Sequence, residues 1–185
     1  AVLEQRVPGA DAFRAWRLLV TEFGSPAPGP APSRMRVPPS AQTWRTIPSW
    51  KFHRANVDGG RARTIVGCAG RATALERLVS RPAVEARAAL MSLPGVGEWT
   101  AAETAQRAFG DADALSVGDY HLATMIGRTL LGLRLDEVFA VEAMVELMEP
   151  MRPHRHRVVR LLIDSGLAVS KRRGPRLALQ RISTL

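Results

Sequence analysis

The segment that most restricts how this chain can fold is Leu93-Pro94-Gly95-Val96-Gly97-Glu98-Trp99-Thr100-Ala101. Ala88-Ala89-Leu90-Met91 before it and the residues after Glu98 both have helical character, so the pattern reads helix, glycine turn, helix. Two glycines in the turn let the backbone pass through conformations that other residues avoid, and let it approach another backbone with no Cβ between. The second helix begins at the turn. Its unbonded N–H groups and positive dipole end face outward, which suits a phosphate oxygen. A tight helix–helix turn that binds nothing would need the same glycines, so the motif has to be weighed with the rest of the chain.

The remaining sequence favours an all-α fold. Ala, Leu, Arg and Val are plentiful and clean alternating strand patterns are scarce. With 185 residues, 46% of them hydrophobic, the chain can bury a real core as one domain or two packed subdomains. The net charge of +9 comes almost wholly from arginine, Lys51 and Lys171 being the only lysines, and suits a polyanionic partner such as nucleic acid. A single cysteine, Cys68, excludes an internal disulfide and any four-cysteine iron–sulfur or zinc site; its apolar neighbours suggest a buried thiol. No run of 18 apolar residues and no signal-peptide pattern occurs, so no membrane partner and a cytoplasmic, bacterial-type location are expected. The start at Ala1, without Met, reads as a longer protein lacking an N-terminal portion.

Periodicity and cap residues divide the chain into helices. Asp11 is expected to cap a helix through Phe13, Trp16, Leu19, Val20 and Phe23 that stops at Gly24. The proline-rich stretch from Ser25 to Pro39 reads as an extended connector. Ser40 and Pro48 open two short helices, and Asp58-Gly59-Gly60 is a turn before a helix running toward Leu78. Further helices are expected near 82–91, 98–109, 120–131, 136–148 and 154–166, with a loose basic tail at Lys171–Arg176. Trp16, Trp44 and Trp50 read as core; Glu137, Glu142, Glu146 and Glu149 read as a solvated face.

A second element lies 22 residues beyond Gly97: Val117-Gly118-Asp119-Tyr120-His121-Leu122, where a loop ends and a helix starts. Taken alone, Asp119 is a helix N-cap. The hairpin followed after about this interval by a loop, an Asp and an apolar helix resembles the helix-hairpin-helix DNA glycosylase superfamily, and within it the bacterial 3-methyladenine DNA glycosylase II branch. The opening Val2-Leu3-Glu4-Gln5-Arg6-Val7 is similar to that superfamily's first core helix, and Arg152-Pro153-His154-Arg155 to the alkylation enzyme's last one.

The resemblance implies an all-α core of two helical subdomains, about 26–118 with the hairpin and about 1–25 plus 119–185, with the active-site cleft between them. It implies a monomeric enzyme acting on double-stranded DNA containing damaged bases, a base-excision repair DNA glycosylase of the hydrolase class. Asp119 aligns with the catalytic aspartate. Cleaving an N-glycosidic bond builds oxocarbenium-like charge on the sugar, and a fixed carboxylate stabilises it. Gly95, Val96, Gly97 and Thr100 of the hairpin would contact DNA, with Gln5 and Arg6 at the wedge. Trp99 and Tyr120 would wall a base pocket that also includes Glu103, where the alkylation enzyme has an aromatic. Related lyases carry a nucleophilic Lys at the position of Trp99, so the resemblance implies a monofunctional hydrolase acting on alkylated bases. It also implies no cofactor for catalysis and no iron–sulfur cluster. A monovalent cation, Na+ or K+, would sit at the hairpin on the backbone carbonyls of Met91, Leu93 and Val96.

Other features read more plainly. His154 and His156 look like part of a basic, DNA-facing helix start, since no third metal ligand clusters with them in sequence, and His121 reads as packing. Two rival functions stay open: a non-catalytic helix-hairpin-helix DNA-binding module, and a glycosylase of the same fold for oxidised or mismatched bases.

Overall fold

Local chemistry sets most helix starts. The computed structural model describes residues 1–134, 139–168 and 182. Helix α1 (Gly9–Phe23) begins at Pro8, whose ring presets a φ of −57° at the cap position, and ends at Gly24. Asp11 therefore falls inside the first turn and is not the cap; it is 4% exposed, and its Oδ2 is buried without a hydrogen-bond partner. The following proline-rich stretch is not wholly unpaired. Strands β1 (Ser25–Pro26) and β2 (Arg36–Val37) form a short antiparallel ladder at its two ends.

Ser40 caps α2 (Ala41–Thr46) by accepting the Thr43 N–H at 3.1 Å, and Pro48 precedes α3 (Ser49–Arg54). Asp58 caps α4 (Gly59–Ala69) through the N–H groups of Gly60 and Arg61. The expected continuation to Leu78 breaks at Gly70 into α5 (Ala72–Glu76) and a 3₁₀ turn at Arg77–Ser80. Then come α6 (Ala83–Met91), α7 (Glu98–Ala108), α8 (Leu122–Leu131), α9 (Val141–Met148) and α10 (Arg155–Asp164). The expected start of the ninth helix at 136, Glu137 and the basic tail at Lys171–Arg176 lie outside the described residues. Among the described residues, no helix is long and apolar enough to cross a membrane.

Contacts divide the chain into two units. Among the described residues, the first holds Ala1–Ser80, Ser92–Val96 and Ile182. The second holds Arg81–Met91 and the described residues 97–134 and 139–168. These divisions fall elsewhere than the boundaries near 25/26 and 118/119 that the sequence suggests. Ala15 and Leu19 of α1 share a core with Ile47, Phe52, Val57 and Ala62, so α1 packs with the helices that follow it. Arg61 sits buried in this unit, donating to the carbonyls of Leu3 at 2.9 Å and Asn56 at 3.1 Å.

Of the three tryptophans read as core, Trp44 is half-buried, stacked between Trp16 and Phe52. Trp16 keeps 40% of its surface and Trp50 53%, the latter with Lys51 and Arg54 over its ring. Cys68 is half-buried, and burial pushes its thiol pKa up.

The second unit packs α8, α9 and α10 around Leu122, Ile126, Met144, Met148 and Val159. A smaller cluster, Ala102, Ala105 and Ala114 with Phe109, seats α7 against the loop that follows it. Glu142, Glu146 and Glu149 face solvent as expected.

Candidate active site

Within the first unit the glycine turn is held from two sides. Gly95 has a φ of +82°, and a Cβ built on it would lie 2.0 Å from Thr64 Oγ1 of α4, so both backbone and packing demand glycine there. The side-chain amide of Gln5 donates to the Gly95 carbonyl at 2.9 Å, and Val96, buried, closes the turn by donating its N–H to the Leu93 carbonyl at 3.0 Å. That bond leaves Leu93 O one lone pair of the pair a carbonyl offers. Arg6, next to Gln5, is exposed and takes a φ of +54°, a region few non-glycine residues occupy.

In the second unit α7 starts at Gly97, whose N-cap side carries no side-chain bond and whose built Cβ would meet nothing within 4 Å. The first N–H groups of α7 lack intrahelical partners, as at any helix start. Glu98, exposed in that first turn, interacts favourably with the dipole and puts a carboxylate beside those N–H groups. Thr100, also expected at the DNA contact, is 4% exposed, so its side chain packs inside the unit.

The loop after α7 delivers Asp119 to the start of α8. Gly118, at φ +84°, makes the turn that brings it there, and the Asp119 N–H bonds the Ser116 carbonyl at 3.1 Å. One carboxylate oxygen, Oδ1, accepts from the N–H groups of His121 at 2.8 Å and Leu122 at 2.9 Å. The other, Oδ2, accepts from the indole N–H of Trp99 at 3.3 Å. Asp119 thus ties down the turn just ahead of α8, whose N-cap position is His121, and is also a half-buried carboxylate beside an aromatic side chain. Tyr120 is 89% exposed and meets the His121 ring edge-on at 4.7 Å between centroids, so neither packs in the core.

Glu103 does not present a free carboxylate to a ligand. Its Oε1 accepts from the buried Ser116 hydroxyl at 2.5 Å and its Oε2 from Arg107 at 2.5 Å. Gln106 completes the fastening by donating to the Ala114 carbonyl at 2.7 Å and to Ser116 Oγ at 2.8 Å. Glu103, Gln106 and Arg107 stand at i, i+3 and i+4 of α7, one helix face, and that spacing was the only trace of the arrangement in the sequence. The expected place of Glu103 in a base pocket is corrected accordingly: it clamps the loop that carries Asp119.

The basic start of α10 also has internal partners. Arg155 is buried and makes a two-pronged pair with Asp113, Nε to Oδ1 at 2.9 Å and Nη2 to Oδ2 at 2.7 Å. Arg152 adds a bond to Asp113 Oδ2 at 2.9 Å. Burial alone would raise the Asp113 carboxyl, but the Arg155 bonds and charge hold it below the ordinary value. Burial lowers the His156 imidazole below its usual pKa, with the Glu103 carboxylate acting in the opposite direction. The expected DNA-facing role is therefore corrected for Arg155, which the sequence could not distinguish from its exposed neighbours. Among the described residues, no group of three or more His, Cys, Asp or Glu side chains could hold a metal ion.

The sequence matches no family model and no curated protein. The fold does match solved structures. The 3-methyladenine DNA glycosylase from Archaeoglobus fulgidus superposes with a TM-score of 0.74 at 20% identity over 89% of this chain and 55% of that one. MBOgg1 in complex with a low-affinity DNA ligand gives 0.71 at 18% identity, over 89% and 56%. The Clostridium acetobutylicum 8-oxoguanine glycosylase/lyase in its apo form gives 0.69 at 13%, over 88% and 56%. This chain spans little more than half the length of each. Its all-α fold is the one that these helix-hairpin-helix DNA glycosylases share.

Proposed function

We propose that this chain is a DNA N-glycosylase that removes a damaged, alkylated base from duplex DNA by hydrolysis, without a strand-nicking lyase step. The observation that carries the reading is Asp119: its carboxylate is held by three N–H donors on the same unit as the outward-facing start of α7. A carboxylate fixed in place before the reaction stabilises positive charge developing on a sugar without having to reorganise. Its lone pairs outside the three bonds remain available to orient a water for attack on the anomeric carbon. The α7 start would hold a backbone phosphate through its N–H groups, and Gln5 and Arg6 are proposed as DNA contacts of the first unit.

The hydrolase reading is supported by the lysines: by the resemblance Trp99 stands where related lyases carry the nucleophilic lysine, and of the two lysines in the sequence, Lys51 and Lys171, the first pairs with Glu22. A second reading, excision of oxidised bases, draws on the likeness to the clostridial 8-oxoguanine enzyme, whose TM-score is close to that of the 3-methyladenine enzyme.

The deciding experiment is a panel of duplexes, each carrying one defined lesion, assayed with and without hot alkali, for the unchanged chain and Asp119→Asn. Alkali-dependent cleavage at an alkylated base is expected, with Asp119→Asn losing on the order of 10²-fold or more in rate while still binding DNA. Cleavage without alkali would refute the hydrolase claim, cleavage only at oxidised bases would favour the second reading, and DNA binding with no excision would leave a binding module.

A further inference from the structure

We propose that Trp99 is a positioning residue for Asp119, acting through its indole N–H; the inference rests on the glycosylase reading and adds a role to the aromatic wall expected of this side chain. The two oxygens of Asp119 are held in different ways. Oδ1 is fixed by two backbone N–H groups, His121 and Leu122, that come with the start of α8 and exist wherever that helix forms. Among the described residues Oδ2 has one donor, Trp99 Nε1 at 3.3 Å, and that donor comes from α7, 20 residues away in sequence. Backbone capping alone would leave the carboxylate free to turn about its Cβ–Cγ bond as far as the Oδ1 bonds bend. The indole N–H removes that freedom by fixing the second oxygen, so the plane of the carboxylate is set by two helices at once.

The clamp around Ser116 supports the same geometry from behind. Glu103 and Gln106 hold the Ser116 hydroxyl, and the Ser116 carbonyl accepts the Asp119 N–H, so backbone and side chain of Asp119 are both referred to α7. A half-buried indole can serve in this way because its donor lies at the ring edge and leaves both faces for other contacts. Tyr and Phe at this position would keep a face. Neither places an N–H there.

Phenylalanine in place of tryptophan separates the two roles, since Trp99→Phe keeps an aromatic face and deletes the donor. The expected result is a fall in kcat of about tenfold, the scale of one lost bond to a charged group, with KM changed by less than about threefold. Removal of stacking alone would raise KM and leave kcat in place, which would overturn the proposal.

A second readout does not depend on activity. In protein labelled with ¹⁵N at tryptophan, the indole cross-peak that disappears in Trp99→Phe is thereby assigned among the four tryptophans. In Asp119→Asn that same peak should move markedly while those of Trp16, Trp44 and Trp50 stay in place. A Trp99 peak unmoved by Asp119→Asn would show that the bond does not exist in solution. Should the bond be seen while no lesion is excised by the unchanged chain, it is the glycosylase reading that fails, and with it the catalytic meaning of the bond.

Discussion

Asp113 shows how one carboxylate can govern a site without belonging to it. It lies in the loop between α7 and α8, mostly buried, and receives the Arg155 backbone N–H, the Arg155 guanidinium and Arg152. Its pKa is held below the ordinary value of 3.8 once burial and the Arg155 bonds are both counted, so the folded state favours the ionised form more than the unfolded chain does. Stability from this group is therefore present above about pH 4 and is lost as pH falls through the lower, folded value. Asp113→Asn leaves the Arg155 charge buried without its counter-charge, and should destabilise the chain by about 3 kcal/mol at pH 7. Urea titrations at pH 7 and pH 3 check both statements: the gap between the variant and the parent should narrow in acid. An equal gap at the two pH values would show that the ion pair contributes nothing.

At the scale of elements, the two glycines of the hairpin answer to different demands. Gly95 is required from within, by its positive φ and by Thr64 of α4, whereas Gly97 is in an extended conformation that any residue adopts, with open space where a Cβ would stand. Gly95→Ala should therefore lower stability by about 1–3 kcal/mol, while Gly97→Ala should fold normally and weaken DNA binding by crowding the helix start. Thermal melts and DNA titrations of the two variants side by side test this, and a Gly97→Ala chain that binds as before would remove the hairpin from the DNA contact. Elements of this kind were legible because their signals are local: Ser40 as a helix start, Asp58-Gly59-Gly60 as a turn, Pro48 and Gly24 as boundaries, the glycine turn itself. Local reading failed where a distant partner decides. Asp11 looked like a cap, but the helix starts from Pro8, three residues earlier; β1 and β2 pair through backbone groups that carry no sequence pattern. Glu103 and Arg155 owe their roles to Ser116 and Asp113, which are 13 and 42 residues away in the chain.

For the molecule as a whole, charge sets a bound on how DNA can be held. The net charge of +9 limits the phosphates that unpaired cations can meet, because arginines such as Arg61, Arg107, Arg155 and Arg160 already face carboxylates of this chain. With about 0.9 counterion released per phosphate, the logarithm of the association constant should fall with the logarithm of salt concentration with a slope between about −3 and −8. Titrations from low to moderate salt measure it, and a slope near zero would contradict phosphate binding altogether. The division of contacts has a consequence of another sort. One unit owns both α6 and α7, while five of the six residues joining them, Ser92–Val96, belong to the other. Severing the chain at Gly97 would part α7 from α6, the neighbour it packs on, so neither unit corresponds to one continuous stretch of the sequence.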